Sequence, residues 1–183
     1  INQANFLKEL NIENYQMLYD YVGDLVLFDE SNREGHAAKV YFNSLFGKSF
    51  TREDQCDVNY ALNYGYAIVR GMIARSIICY GLEPSLGLFH SSELNSYNLA
   101  DDFIEVFRPV VDLHVSGRFD ISEVDRALTP EIKRELYGIV NYDMLVRGEK
   151  HILSNCIDKV VASYSSALQG NREELELPVL MEL

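Results

Sequence analysis

Three acidic residues near the middle of the chain share one face of a predicted helix. Asp101 and Glu105 are four residues apart, and Asp102 and Glu105 are three apart, so their side chains project to the same side. An acid in the first turn of a helix also complements the helix dipole, which gives Asp101 a purely structural role. Glu105 runs instead into the apolar stretch 106–111, which carries Arg108. We therefore take Glu105, with Asp102 beside it, as a candidate ligand for a cation.

Two roles fit Glu34. The spacing of Ser31 and Glu34 matches a capping box, in which the glutamate accepts a hydrogen bond from the backbone at the start of its helix. The segment 35–42 then has small residues followed by aromatic ones, which predicts a close approach of another helix. In that case Glu34 points inward, where a lone carboxylate needs a cation or a proton. The local pattern leaves both roles open.

Histidine supplies the third candidate. His90 follows Gly87 at the end of a predicted loop, where it is either a hydrogen-bonded structural residue or a ligand. His114 and His151 are assigned structural roles. Two carboxylates and one imidazole together form a ligand set that suits Mg²⁺ or Mn²⁺, since both ions prefer oxygen donors and Mn²⁺ in particular tolerates an imidazole.

Helices must position these residues, because the apolar spacing is close to the 3.6-residue period almost throughout. We predict helices over 4–28, from Ser31 or Asn32 to Gly47, over 55–80, and over 98–115 with a bend or interruption at Pro109. Two further helices follow, one starting at Thr129-Pro130 and one over 151–169. No segment shows a β-hairpin pattern. The predicted fold class is all-α, with one helical domain over 1–170 and a loose acidic tail over 171–183.

Several classes of protein are excluded by composition. Cys56, Cys79 and Cys156 lie far apart without a C-x-x-C pair, which predicts reduced core thiols and neither a zinc site nor a disulfide framework. No apolar run approaches the roughly 20 residues of a membrane-spanning helix, so a cytoplasmic protein without membrane contact is expected.

The net charge of −12 is unfavourable for broad electrostatic binding to DNA, but it is unevenly distributed. Residues 1–30 hold one basic and six acidic side chains, whereas residues 31–80 hold six basic and four acidic ones. The second segment therefore offers two alternatives, a locally basic surface or basic residues that only solvate helix faces, and the second is favoured for any single residue.

Four segments occur in an order that resembles the CRISPR-associated integrase family, in its variant from type II systems. They are SNREGHAAKVYF at 31–42, NYALNYGY at 59–66, GLFH at 87–90 and DFIEVFRP at 102–109. The resemblance covers roughly residues 10–165. It implies that the chain is the helical catalytic domain of such an enzyme and that the β-rich domain preceding it in the family is absent from this chain.

The resemblance also implies which residues act. The glutamate of E-G-x-x-A-x-x-Y-F, the histidine of the G-x-x-H motif and the second acid of D-x-x-[DE] before F-R-P bind one divalent ion in the family. These correspond to Glu34, His90 and Glu105, with Asp102 as a supporting residue. A different register would make Asp101 the ligand in place of Glu105. Candidates for phosphate contacts or charge balance are Arg33, Arg70, Arg75 and Arg108, and Arg108 is expected to form an internal ion pair.

The function implied is insertion of new spacer DNA into the CRISPR array. The 3′-hydroxyl of a DNA duplex attacks a phosphodiester, so the protein needs a Mg²⁺ or Mn²⁺ ion but no nucleophile of its own. Family members form homodimers that assemble with a small partner subunit on double-stranded DNA. The alternative is a catalytically silent helical interaction domain, in which Glu34 only caps a helix and His90 only packs.

Overall fold

The computed structural model describes residues 2–23, 32–117, 128–171 and 174–181. Within these ranges helices dominate, as predicted. Their bounds are α1 Asn2–Glu9, α2 Tyr15–Gly23, α3 Arg33–Phe46, α4 Asp57–Cys79, α5 Asn98–Ser116, α6 Pro130–Tyr137 and α7 Leu153–Leu168. None of the described helices combines the length and apolar content needed to cross a lipid bilayer.

Helix α4 is the centre of the fold, as its apolar residues on most sides predict. It packs most extensively on α5 and also contacts α6 and α7. Gly65 permits the close contact with α5, because a Cβ atom at this position would stand 2.7 Å from Cγ1 of Val111. The crossing therefore depends on a residue without a side chain.

The N-terminal segment departs from the prediction of one helix over 4–28. The chain leaves α1 after Glu9, and Asn11 adopts a left-handed conformation with φ of 55°. The amide of Ile12 then donates to the carbonyl of Leu7 at 2.9 Å, which closes the end of α1. The apolar period continues across the break because α1 and α2 both face the core. Residues 24–28 of the predicted helix lie outside the described residues.

The later helices agree with the prediction in position. Thr129 caps α6 by accepting a hydrogen bond from the amide of Ile132 at 3.4 Å. Helix α5 runs without interruption through Pro109. The cysteines are free, but only Cys156 is buried and Cys79 is exposed, so the expectation of three core thiols is wrong for Cys79.

A small antiparallel sheet was missed by the sequence analysis. It consists of β1 Asp143–Val146, β2 Glu149–Ile152 and β3 Pro178–Leu180, in the order β2-β1-β3. Arg147 and Gly148 connect β1 to β2, and both have positive φ, 53° and 79°. These angles fit a type I′ hairpin turn, which usually carries Asn-Gly or Asp-Gly. With arginine at the first position and strands of only four residues, the hairpin signal was weak.

The third strand also corrects the expectation for the C-terminal segment. Leu180 pairs with Met144 and Pro178 with Val146, so this part of the predicted loose tail is attached to the domain. The amide of Glu176 additionally donates to the hydroxyl of Ser163 on α7 at 3.0 Å. The acidic segment is therefore partly ordered against the helices.

Candidate functional site

A cleft of about 570 Å³ opens between the N-terminal helices, α3, α5 and the loop before α5. Five charged side chains contribute to its wall: Arg33, Glu34, Arg52, Glu105 and Arg108. Three positive and two negative groups therefore meet here, in a chain whose net charge is −12. Of the basic residues in segment 31–80, Arg33 and Arg52 line this cleft.

Helix α3 brings Glu34 to the cleft from its first turn. The helix begins after Asn32, whose side chain makes no capping hydrogen bond. Glu34 is exposed and lines the cleft, so the alternative in which its side chain is buried in the core is not found. The Ser31 position of the predicted capping box lies outside the described residues.

Helix α5 brings Glu105 to the same cleft. Its carboxylate accepts a hydrogen bond from Nε of Arg108 at 2.7 Å, and the two side chains form an ion pair one helical turn apart. The internal ion pair predicted for Arg108 is thus present. Both groups remain about one-third or more exposed, so the pair is open to solvent and to a ligand.

His90 directly follows Phe89, which lines the cleft, but His90 itself is not among the lining residues. Its Nδ1 atom lies 2.8 Å from Oδ1 of Asp102. An ionised carboxylate can only accept, so Nδ1 carries the proton and the lone pair of the neutral ring is on Nε2. A carboxylate that orients a histidine in this way is typical of the outer shell of metal sites.

Asp102 also holds the loop that carries His90. Its carboxylate accepts hydrogen bonds from the backbone amides of Leu88, of Phe89 at 3.2 Å and of His90 at 3.0 Å. Burial opposes the charge, but the hydrogen bonds from His90, Leu88 and Phe89 hold the pKa of Asp102 below its ordinary value. Both oxygens of Asp102 are therefore engaged by the loop and by His90.

Asp101, the register-dependent alternative, is engaged elsewhere. Its carboxylate accepts a hydrogen bond from Nη2 of Arg70 at 2.9 Å and one from the amide of Asn95 at 2.6 Å. Burial opposes the charge here too, but the hydrogen bonds from Arg70 and Asn95 lower the pKa of Asp101. Arg70 therefore balances charge. Arg75 is exposed and borders a different cavity.

The three predicted ligands do not converge on a point, and of the three only Glu34 and Glu105 line the cleft. In the part of the chain described, no group of three or more His, Cys, Asp or Glu side chains stands close enough to hold a metal ion. Glu105 is paired with Arg108 and His90 with Asp102. The donor types, two carboxylates and one imidazole, nevertheless fit Mg²⁺ or Mn²⁺.

Two residues near the cleft were missed. Arg52 was not predicted as a site residue. Its guanidinium donates to Asn59 and Asn63, which are four residues apart on one face of α4, and this spacing was a signal that the helix binds a polar group. Asp112 is fully buried and accepts hydrogen bonds from the hydroxyls of Tyr41, at 2.7 Å, and Tyr66. Its burial follows from packing and had no local signature.

Comparison with known proteins identifies the class of this domain. The profile of the family described as "CRISPR associated protein Cas1" matches residues 31–125. The solved structure titled "Casposase bound to integration product" has the same fold, with a TM-score of 0.71 and 22% identity over 95% of this chain and 60% of that chain.

Two relatives from bacteria give the same result. "CRISPR-associated endonuclease Cas1" of Neisseria meningitidis serogroup C (strain 8013) is 44% identical over 85% of this chain and 51% of its own length. "CRISPR-associated endonuclease Cas1 1" of Francisella tularensis subsp. novicida (strain U112) is 29% identical over 93% of this chain and 57% of its own length. The chain belongs to the Cas1 family of CRISPR-associated proteins, and it spans slightly more than half the length of these relatives.

Proposed function

We propose that this chain carries the active site of a divalent-metal-dependent DNA endonuclease and integrase that inserts spacer DNA into a CRISPR array. The observation that supports this most strongly is the cleft itself, which is lined by Glu34 and Glu105 together with three arginines. Acidic groups that can bind a cation and basic groups that can bind phosphate are both needed for phosphoryl transfer. In an acidic chain, their concentration at one cleft favours a DNA-processing site.

Glu34, His90 and Glu105 would hold the ion, His90 through Nε2 because Nδ1 is engaged by Asp102. A bound Mg²⁺ or Mn²⁺ would lower the pKa of the attacking 3′-hydroxyl and offset charge at the phosphorus. Asp102 positions His90 through its hydrogen bonds to the ring and the loop. Release of Glu105 from Arg108 would free the carboxylate for the ion and the guanidinium for a phosphate.

The attacking group comes from the DNA, so the reaction is a transesterification in which one phosphodiester forms as another breaks. The described residues need only orient the two strands and neutralise charge, and Arg33 and Arg108 on the cleft wall are suited to this. By extension from the family, the substrates are double-stranded protospacer and repeat DNA in the cytoplasm. The intact protein is a homodimer that assembles with a small adaptation subunit.

Metal binding can be tested separately from activity. We expect Mn²⁺ or Mg²⁺ to raise the melting temperature of the protein, because an ion that binds only the folded state stabilises it. Glu34→Ala and His90→Ala should abolish this increase, whereas Glu13→Ala, which removes an exposed carboxylate outside the cleft, should keep it. Identical melting of all four proteins across a metal titration would contradict the site.

The activity is tested in the intact protein with its partner subunit. Wild type should join protospacer DNA to a CRISPR repeat in the presence of Mn²⁺ or Mg²⁺, and Glu34→Ala should not. A Glu34→Ala variant that integrates as well as wild type would favour the silent interaction domain.

A further inference from the structure

Arg52 lies in the turn between α3 and α4 and contributes to the wall of the cleft. Its guanidinium donates to the amide oxygen of Asn59 and, at 2.8 Å, to that of Asn63. It also packs over two aromatic rings, those of Phe42 and Tyr66, each with its centroid 5.5 Å from the guanidinium carbon. The side chain is therefore fixed from four sides.

These contacts hold the group but leave its charge without a bonded anion. The described hydrogen-bond and ring contacts of Arg52 are to neutral groups, whereas Arg70 and Arg108 each pair directly with a carboxylate. Among the described residues, Asp112 interacts electrostatically with Arg52 from the core behind Tyr66. A guanidinium has five N–H donors, and two are used here, so others are available to a ligand.

The supports of Arg52 are themselves rigid. Asn59 is 2% exposed, and its amide donates to the carbonyls of Thr51 at 2.7 Å and Asp54 at 2.8 Å. Tyr66 is fixed by its hydrogen bond to Asp112. Because the side chain is already ordered, binding an anion costs little further conformational entropy.

We propose that Arg52 binds a non-bridging phosphate oxygen of the DNA backbone in the cleft, close to the phosphodiester that reacts. The inference rests on the function proposed above and adds a residue that recognises phosphate independently of the metal ligands. Arg108 is on the same cleft wall and stacks on Tyr66 at 4.9 Å, so this tyrosine contacts both guanidinium groups. Two arginines placed in this way can bind different oxygens of one phosphate group, whereas a single carboxylate has only two oxygens to offer them.

The test uses the intact protein and compares Arg52→Gln, Arg52→Lys and the control Lys48→Gln in metal-dependent strand transfer. Lys48 is an exposed cation four residues before Arg52 and does not line the cleft, so its removal changes the net charge equally. We expect Arg52→Gln to lower kcat/KM by about 100-fold, as loss of one preorganised donor to a reacting centre does. Arg52→Lys should lower kcat/KM less, because lysine keeps the positive charge but lacks the planar set of N–H donors of the guanidinium.

Two further readouts separate phosphate binding from a structural role. For Arg52→Gln, the slope of log(kcat/KM) against log[salt] should become shallower by about 1, as expected for loss of one phosphate contact. Its stabilisation by Mn²⁺ should equal that of wild type. If Arg52→Gln does not fold, Arg52→Lys decides through its kcat/KM, because a value equal to that of wild type would show that the guanidinium of Arg52 is not needed and would overturn the proposal.

The outcomes are distinct. If wild type has no metal-dependent reaction on DNA, the proposed function fails. If wild type is active and a folded Arg52→Gln stays within about twofold of it with an unchanged salt slope, the role of Arg52 is overturned while the function stands. Activity lost together with Mn²⁺ stabilisation would also overturn it, since Arg52 would then only support the metal site.

Discussion

Asp112 is a carboxyl group with no exposure to solvent, on α5, between Tyr41 of α3 and Tyr66 of α4. Burial raises the pKa of Asp112 from 3.8 to about 6, and the hydrogen bonds from the two tyrosines and the charges of Arg108 and Arg52 limit the increase. Burial likewise raises the pKa of both tyrosines well above 10, so they remain hydrogen-bond donors at neutral pH.

The shift determines how stability depends on pH. One pKa unit corresponds to about 1.4 kcal/mol, so the shift of Asp112 from 3.8 to about 6 corresponds to about 3 kcal/mol. Between these two values the folded state holds a proton that the unfolded chain has lost. The contribution of Asp112 to the free energy of unfolding therefore falls as pH rises through this window, and it levels off above the folded-state value.

The substitution Asp112→Asn removes the titration and keeps the size of the side chain. Its amide oxygen can accept from one tyrosine hydroxyl, and its NH₂ group can donate to the oxygen of the other. We expect the difference in free energy of unfolding, variant minus wild type, to shift in favour of the variant by about 2 kcal/mol between pH 4 and pH 7.5, since part of the titration lies below pH 4. Any pH-independent cost of the substitution cancels in this comparison.

Urea denaturation of both proteins at several pH values measures this difference. Asp20→Asn serves as the control, because Asp20 is exposed on α2 and its removal reports only the general effect of one negative charge. A difference that moves by less than about 1 kcal/mol over the range, beyond the error of extrapolation, would refute the buried-charge argument.

Two other predictions concern packing and the loop. Gly65→Ala should destabilise the fold by about 1–3 kcal/mol in urea denaturation, because its Cβ would collide with Val111, whereas Gly71→Ala on the same helix has open space and should be neutral or stabilising by up to about 1 kcal/mol. A Gly65→Ala variant as stable as Gly71→Ala would contradict this packing. Asp102→Ala should increase hydrogen exchange at the three loop amides that donate hydrogen bonds to Asp102 in the wild type. The control Glu93→Ala changes an exposed residue of the same loop and should leave this exchange unchanged. Unchanged protection in Asp102→Ala would show that the carboxylate does not hold the loop.

Local patterns were enough to predict most of the helices. The apolar period predicted α3, α4 and α7 to within a few residues, because each buries one continuous face or is buried on most sides. The same period failed at Asn11, where the chain breaks while its apolar spacing continues. It also failed at the hairpin after Tyr142, whose turn lacks the common residue pair.

The candidate ligands were available from motifs, but their surroundings were not. The order of the motifs selected Glu34, His90 and Glu105, and the structure places Glu34 and Glu105 on one cleft and His90 against Asp102. The sequence could not show that Arg52 lines the cleft. A basic residue in a turn has the same local sequence pattern whether its side chain faces solvent or a binding site.

By itself, then, the sequence determined the helical class, the family and the acidic and imidazole groups available for chemistry. Only the tertiary structure decided which polar and charged groups are in contact. Asp112 and Tyr41 are 71 positions apart, and Arg70 and Asp101 are 31 apart, yet each pair is in direct contact. Spacing along one helix indicates the face that a residue occupies, whereas contacts between helices depend on how the whole core packs. That packing places Asp102 against the loop, Asp101 against Arg70 and Asp112 in the core.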